Sequence, residues 1–220
     1  MLSRVHARRR RVARAVALCA AAAAFVLLVA LGATPWTRVE EIPWPAVDGP
    51  IAPVKPDLPE ERAMPEIARI APRLEFALNP LPDVATAGQP AERDFAAFAR
   101  AGYRTVVDLR MPGEPRGFDE PAAARAAGLE YVNIPFIRTT LGPEQIEEFR
   151  RVMNDPRRGP VLVHCVAANR AGGVMIPWLV LDRGYTEHDA VALAMKIGMH
   201  SPELLAAVLE YLRDQRAGAV

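Results

Sequence analysis

The chain has little cysteine: only Cys19 and Cys165 occur in 220 residues. That scarcity excludes a disulfide-dense scaffold. With 51% hydrophobic and 24% charged residues, the composition also excludes a disordered or collagen-like protein. Lysine is scarce as well, at Lys55 and Lys196 only, and this bias toward arginine, alanine and proline suggests a GC-rich bacterial genome.

Acidic residues are absent from the first 33 positions, which hold six arginines. The rest of the chain carries the other 21 of the 27 basic residues against all 26 acidic ones. This mildly acidic body lacks the basic excess on which nucleic-acid binders depend, so we expect no nucleic-acid partner.

The apolar segment from Ala15 to Ala33 is uncharged over nineteen positions and directly follows the arginines. A helix of that length just crosses a hydrocarbon core of ~30 Å. Residues 1–34 are therefore predicted to form a basic region and a transmembrane or signal helix. The positive-inside rule then places the rest of the chain in the periplasm or outside the cell, tethered to the bacterial inner membrane. Alternatively, cleavage near Gly32 or Ala33 would release a periplasmic or secreted protein.

Residues 35–82 hold eleven of the twenty-one prolines. Proline removes a backbone donor and disfavours helix at the preceding residue, so the segment is predicted to be an extended, semi-rigid linker. Alternatively, part of it packs on the domain, because Leu74, Phe76 and Leu78 alternate as they would in a strand.

Residues 83–220 are predicted to form one domain in which strands alternate with helices. The expected fold is α/β, with a parallel-rich central sheet and helices on both faces. Sites in such sheets form beyond the carboxyl ends of strands. Three segments lie there: Asp108 to Arg110, Pro135 to Thr140, and His164 to Arg170.

The segment after the strand Val161 to His164 carries the candidate chemistry. A thiol becomes a good nucleophile when it ionises, and backbone N–H groups at a helix start favour the thiolate. The same N–H groups bind an anion, and a guanidinium can hold two of its oxygens. We therefore expect Cys165 to be the nucleophile, with His164 lowering its pKa. The anion-binding loop is predicted to comprise Val166, Ala167, Ala168, Asn169 and Arg170.

The competing interpretation is a buried structural cysteine at a strand end. The flanking His164, the arginine five positions on and the pair Gly172-Gly173 favour reactive chemistry instead.

This loop resembles that of the dual-specificity-type tyrosine phosphatase superfamily, and of its small bacterial branch described as beta-lactamase-hydrolase-like phosphatases. The resemblance extends over residues 83–198 and includes Gly88-Gln89-Pro90 and the strands Val106 to Arg110 and Tyr131 to Pro135. It implies a phosphocysteine on Cys165, with Arg170 holding the phosphoryl oxygens. It implies no cofactor and no metal, and a phosphorylated protein or small phosphoester as substrate.

The sequence departs from that family pattern in three ways. Four residues separate Cys165 from Arg170 instead of five, and Ala171 stands where a hydroxyl residue is common. No carboxylate follows the third strand, where the general acid is expected. Asp108 is the nearest candidate acid, with Glu114 and Asp119 behind it, although a bond to the loop backbone explains Asp108 equally well.

Two alternative functions follow from these departures. The short loop also resembles that of rhodanese-like sulfurtransferases, which carry a persulfide on the cysteine. The missing acid and hydroxyl would suit a membrane-tethered anion-binding module with little or no turnover.

Overall fold

The computed structural model describes residues 64–218, which form a five-stranded sheet and seven helices. The strands are β1 (Leu78–Leu81), β2 (Val84–Ala87), β3 (Thr105–Asp108), β4 (Glu130–Asn133) and β5 (Val161–His164). The helices are α1 (Ile67–Ile70), α2 (Asp94–Arg100), α3 (Glu120–Ala126), α4 (Pro143–Met153), α5 (Asn169–Leu181), α6 (Glu187–Ile197) and α7 (Pro202–Ala217).

The strand order is β1-β2-β5-β3-β4, which places β5 at the centre of the sheet. Strands β2, β5, β3 and β4 are parallel, and β1 pairs antiparallel with β2 at the edge. All four β5 residues are buried, as expected for a strand covered on both faces. The sheet is therefore mixed, with the predicted parallel order in its interior.

Helices cover both faces of this sheet. Helices α1, α2 and α3 contribute to one apolar core with residues of β2, β3 and β5, among them Ala85, Val106 and Leu162. Side chains alternate along a strand, so their neighbours face the opposite side. There α5 contacts β2 and β5 and packs against α4, α6 and α7.

Part of the predicted linker belongs to the domain. Over residues 64–82 the expected extended spacer is wrong, because Leu78–Leu81 forms the edge strand and Ile67 of α1 lies in the apolar core. Asn79 ties these pieces together by accepting a hydrogen bond from the backbone N–H of Ile67 at 2.7 Å. The alternation of Leu74, Phe76 and Leu78 was the sequence signal for this packing.

The predicted membrane or signal segment, residues 1–34, lies outside the described residues and stays a prediction. Within residues 64–218, none of the helices combines the length and apolar character needed to cross a bilayer.

Candidate active site

The fold places Cys165 directly beyond the carboxyl end of the central strand. Its backbone N–H donates to Ala87 O at the end of β2, at 3.4 Å, and the N–H of Leu109 beyond β3 donates to His164 O at 3.0 Å. The cysteine thus lies between the ends of the two strands that flank β5. This is the crevice where parallel sheets bind ligands.

The loop after Cys165 turns its carbonyl groups outward. Val166 O accepts a hydrogen bond from Gln89 N at 3.1 Å, and Ala168 O accepts one from Gly172 N at 2.9 Å. In a planar trans peptide the N–H points opposite to the C=O. The N–H groups of Ala167 and Asn169 are therefore directed away from these outer partners, toward the inside of the loop.

The other two carbonyl groups of the loop face neighbouring residues. Cys165 O lies 3.4 Å from His164 Nδ1, and Ala167 O faces Gly198, where an added Cβ would lie 3.3 Å away. Ala168 has a left-handed backbone, with φ of 57°, at the start of α5. A non-glycine residue in that conformation is strained, and such strain is concentrated at functional sites. The N–H groups of Ala167 and Asn169, at the N-terminus of α5, are thus placed where the predicted anion cradle requires donors.

Gly88 lies so close to this loop that a Cβ added at position 88 would be 2.8 Å from Val166 O. We expect Gly88→Ala to displace the Val166 carbonyl, disturb the cradle and weaken binding of inorganic phosphate at least tenfold, about 1.4 kcal/mol. Isothermal titration calorimetry measures the affinity. Gly113→Ala is the matched control, because no atom lies within 4 Å of a Cβ at Gly113. Equal phosphate affinities for the two variants would contradict this role for Gly88.

Arg170 is held beside the loop by a carboxylate. Its Nη1 and Nη2 donate to the two carboxylate oxygens of Glu114 at 2.6 and 2.8 Å, and Nη1 also donates to Phe136 O at 3.0 Å. Burial disfavours the charge of Arg170, but the hydrogen bonds to Glu114 and the charge of the Cys165 thiolate outweigh it and raise the pKa of the guanidinium. Glu114 and Phe136 O thus hold the charged guanidinium of Arg170 in a fixed orientation beside Cys165.

Glu114 lies between two arginines. The hydrogen bonds from Arg170 lower its pKa to about 2 although burial opposes the shift, and further bonds come from the N–H of Met111 and Nε of Arg110. Glu114 is consequently a carboxylate at neutral pH and has no proton to donate.

Cys165 opens into a cleft of about 490 Å³. Its side chain is buried at the bottom, with 2% of the residue exposed. The loop and three neighbouring segments form the walls, and the lining residues are Glu114, Ile137, Arg138, Thr139, Cys165, Val166, Ala167, Asn169, Arg170 and His200. The structure therefore brings the predicted nucleophile, arginine and most of the predicted loop residues to one concave site.

Asp108 does not reach this cleft. It is fully buried, and Oδ2 accepts hydrogen bonds from Arg116 Nη2 at 2.5 Å and Tyr131 Oη at 2.6 Å. Its Oδ1 accepts the backbone N–H of Arg110 at 2.8 Å. This placement favours the alternative interpretation, in which Asp108 fixes backbone and neighbouring side chains. Asp119 likewise caps α3 by accepting the N–H of Ala122 at 3.0 Å.

His164 is fully buried beneath the loop. Its Nε2 lies 2.7 Å from Glu120 Oε1 and 3.9 Å from Asp108 Oδ1. The three groups offer ligand atoms within 4.8 Å of one another, a spacing that a metal ion could use. Arg116 already bonds both carboxylates, however, at 2.5 Å to Asp108 and 3.1 Å to Glu120. The protein's own cation therefore balances this acidic cluster, which supports the cysteine loop from below.

Sequence reasoning did not single out Glu120 or His200, and it named Glu114 only as a further candidate acid and not as the partner of Arg170. The partnership of Glu120 with His164 and that of Glu114 with Arg170 link positions 44 and 56 residues apart, so no local spacing signals them. His200 belongs to none of the motifs identified in the sequence, yet it lines the cleft.

Known proteins resemble this domain in sequence and in structure. Residues 78–179 match the family model of the phosphatase-like domain of beta-lactamase hydrolase-like proteins. Over 92 residues the chain is 42% identical to the beta-lactamase hydrolase-like protein of Xylella fastidiosa (strain Temecula1), a match that covers 40% of this chain and 21% of that protein. The chain thus spans about a fifth of the length of the curated relatives it matches.

Among solved structures, Tk-PTP in its active form superposes with a TM-score of 0.53 at 26% identity, over 61% of this chain and 95% of Tk-PTP. TpbA of P. aeruginosa shares the fold, with a TM-score of 0.52 at 19% identity over 62% of this chain and 84% of TpbA. These matches confirm the family predicted from the cysteine loop and its flanking strands. Residues 78–179 are therefore similar to the phosphatase-like domain of the beta-lactamase hydrolase-like proteins, and the domain has the fold of solved tyrosine phosphatases.

Proposed function

We propose that this protein hydrolyses a phosphomonoester through a phosphocysteine on Cys165. The observation that carries the proposal is the convergence of three features on one cleft: the Cys165 side chain, the N–H groups of Ala167 and Asn169 in its loop, and the Arg170 guanidinium. Together they offer a nucleophile and a cradle for a tetrahedral dianion.

Each part of the site has a defined step. The Cys165 thiolate attacks phosphorus, and the bond to the leaving oxygen breaks. Loop N–H groups and Arg170 hold the equatorial oxygens, where charge is spread in the transition state. Water then attacks phosphorus, the P–S bond breaks, and inorganic phosphate leaves with the thiolate restored.

The cleft mouth favours an aryl or small phosphoester. Ile137 and Val166 both line the cleft and are about half exposed, so they offer apolar contact for a ring, and Arg138 adds a positive charge. Among proteins of the same fold, TpbA has been crystallised with phosphotyrosine and PTPMT1 with PI(5)P. A phosphorylated tyrosine or a small phosphoester is therefore the proposed substrate class.

The test is the purified chain incubated with p-nitrophenyl phosphate. We expect vanadate-sensitive release of nitrophenol and, after acid quenching, a mass gain of one phosphoryl group on the peptide that contains Cys165. The labelled peptide is the decisive readout because it reports the covalent intermediate itself. Turnover with no phosphorylated cysteine at any quench time would overturn the mechanism.

A sulfurtransferase is the second candidate, and the site gives it specific support. Only four residues separate Cys165 from Arg170, and the two Nη atoms of that arginine already hold Glu114. A short loop leaves a smaller space around the cysteine, and a guanidinium already bonded to Glu114 has fewer free donors. Both features suit the terminal sulfur of a persulfide. Thiosulfate and cyanide replace the aryl phosphate in the same assay. Thiocyanate release with one added sulfur on Cys165 would favour this alternative. The absence of both reactions would favour an anion-binding module.

A further inference from the structure

We infer that His200 is the proton donor and acceptor of this active site, in the role that the sequence assigned to Asp108. The inference rests on the proposed phosphatase function and adds a catalytic residue to it. Its basis is geometric: His200 lies in the wall of the Cys165 cleft, whereas Asp108 is buried outside it.

The position of His200 is fixed by the cysteine loop itself. Its backbone N–H donates to Asn169 Oδ1 at 2.9 Å, and Asn169 immediately precedes Arg170. Two residues earlier, Gly198 has a φ of +132° and packs against Ala167 and Ala168. The segment that carries His200 is therefore built onto the anion cradle.

The imidazole is oriented by one hydrogen bond. His200 Nδ1 lies 2.9 Å from the backbone carbonyl of Gly198, which can only accept, so Nδ1 carries a proton in this contact. The second nitrogen, Nε2, is then the one that gains and loses a proton. The side chain is exposed, so Nε2 can meet both a leaving group and water.

The other charged groups around the cleft do not supply that proton. Glu114, from the segment after β3, is held as a carboxylate by Arg170 and Arg110. Arg170 from α5 and Arg138 from the segment after β4 are guanidinium groups, which do not give up a proton in proteins. Glu203 of α7 accepts a hydrogen bond from Ser201, which lowers its pKa. Histidine is the side chain that ordinarily exchanges a proton near neutral pH.

The proton balance of the two steps is complete. As the Cys165 thiolate bonds to phosphorus, the P–O bond breaks and the leaving oxygen takes the proton from Nε2 of imidazolium. In the second step neutral Nε2 removes a proton from water, the water oxygen bonds to phosphorus, and the P–S bond breaks. The products are the alcohol and inorganic phosphate, and His200 and Cys165 return to their starting states.

The experiment compares His200→Asn with the unmodified chain on two substrates. Phenol is a poor leaving group and needs a proton, whereas nitrophenol is acidic enough to depart with little help. We expect kcat/KM for phenyl phosphate to fall ~10² to 10⁴-fold, the contribution of general acid catalysis. For p-nitrophenyl phosphate the loss should be at least about tenfold smaller, because less proton transfer is needed.

The pH profile supplies an independent readout. With phenyl phosphate, activity of the unmodified chain should decline at alkaline pH, where the general acid has lost its proton, and His200→Asn should lose that limb. His188→Asn is the matched control, because His188 is exposed at the start of α6 and is not among the cleft-lining residues. Equal losses on both substrates, or an unchanged alkaline limb in His200→Asn, would overturn the role. If the unmodified chain hydrolyses neither substrate, the proposed function fails instead.

Discussion

Cys165→Ser is expected to reduce aryl phosphate hydrolysis to the uncatalysed background, a loss of at least about 10⁴-fold. The substitution exchanges sulfur for oxygen and nearly conserves the shape of a buried side chain. A hydroxyl does not ionise near neutral pH, however, so the variant lacks the nucleophile that the proposed first step requires.

Binding should survive this change, because the loop N–H groups and Arg170 are untouched. We expect Cys165→Ser to bind inorganic phosphate as well as the unmodified chain does, or better, because the negative thiolate no longer repels the ion. Isothermal titration calorimetry measures that affinity beside the steady-state assay. The matched control is Cys19→Ser, which removes the other thiol of the chain and should retain full activity. Persistent turnover in Cys165→Ser would contradict nucleophilic catalysis by this residue.

Local patterns predicted the parts of the fold that local physics determines. The strand Val161–His164 was recognised in full, since a short apolar run ending in His-Cys suits a buried central strand. The cap of α3 is equally local, because the carboxylate of Asp119 accepts an N–H only three residues away.

The start of α2 shows where local rules give way. A proline such as Pro90 favours a helix that starts directly after it. The helix α2 nevertheless begins at Asp94, whose Oδ2 accepts the N–H of Ala91 at 2.8 Å. Gln89 before it is engaged elsewhere: it donates from Nε2 to Glu120 at 3.0 Å and accepts from Arg110. Such contacts, like that between Arg170 and Glu114, join residues far apart in the chain. The spacing of residues in the sequence does not predict these contacts.

The placement of Asp108 is the largest gap between sequence and structure, and it leads to a strong prediction about stability. Asp108→Ala would leave Tyr131 Oη and the backbone N–H of Arg110 without their acceptor. It would also remove the closer of two carboxylates from Arg116, whose side chain is 9% exposed. Breaking a buried ion pair by removing one partner costs about 3–5 kcal/mol, so we expect the free energy of unfolding to fall by that amount.

Urea denaturation followed by tryptophan fluorescence measures this loss, and Asp119→Ala is the matched control. That variant removes an aspartate from the same segment but only a helix cap, which costs about 1 kcal/mol. Asp108→Asn serves as a second variant if the alanine protein does not fold, because its amide oxygen can still accept the backbone N–H of Arg110 and its NH2 group can donate to the Tyr131 oxygen.

The same variants separate support of the fold from proton donation. If Asp108 acts only beneath the site, the folded Asp108→Asn protein should keep phenyl phosphate turnover within about tenfold of the unmodified chain, well short of the ~10² to 10⁴-fold effect of a lost acid. If Asp108→Asn unfolds at the same urea concentration as the unmodified chain and yet loses phenyl phosphate turnover, Asp108 would be restored as the acid. It would also displace His200 from that role, because the cleft would then rearrange to admit a carboxylate that is enclosed in this structure.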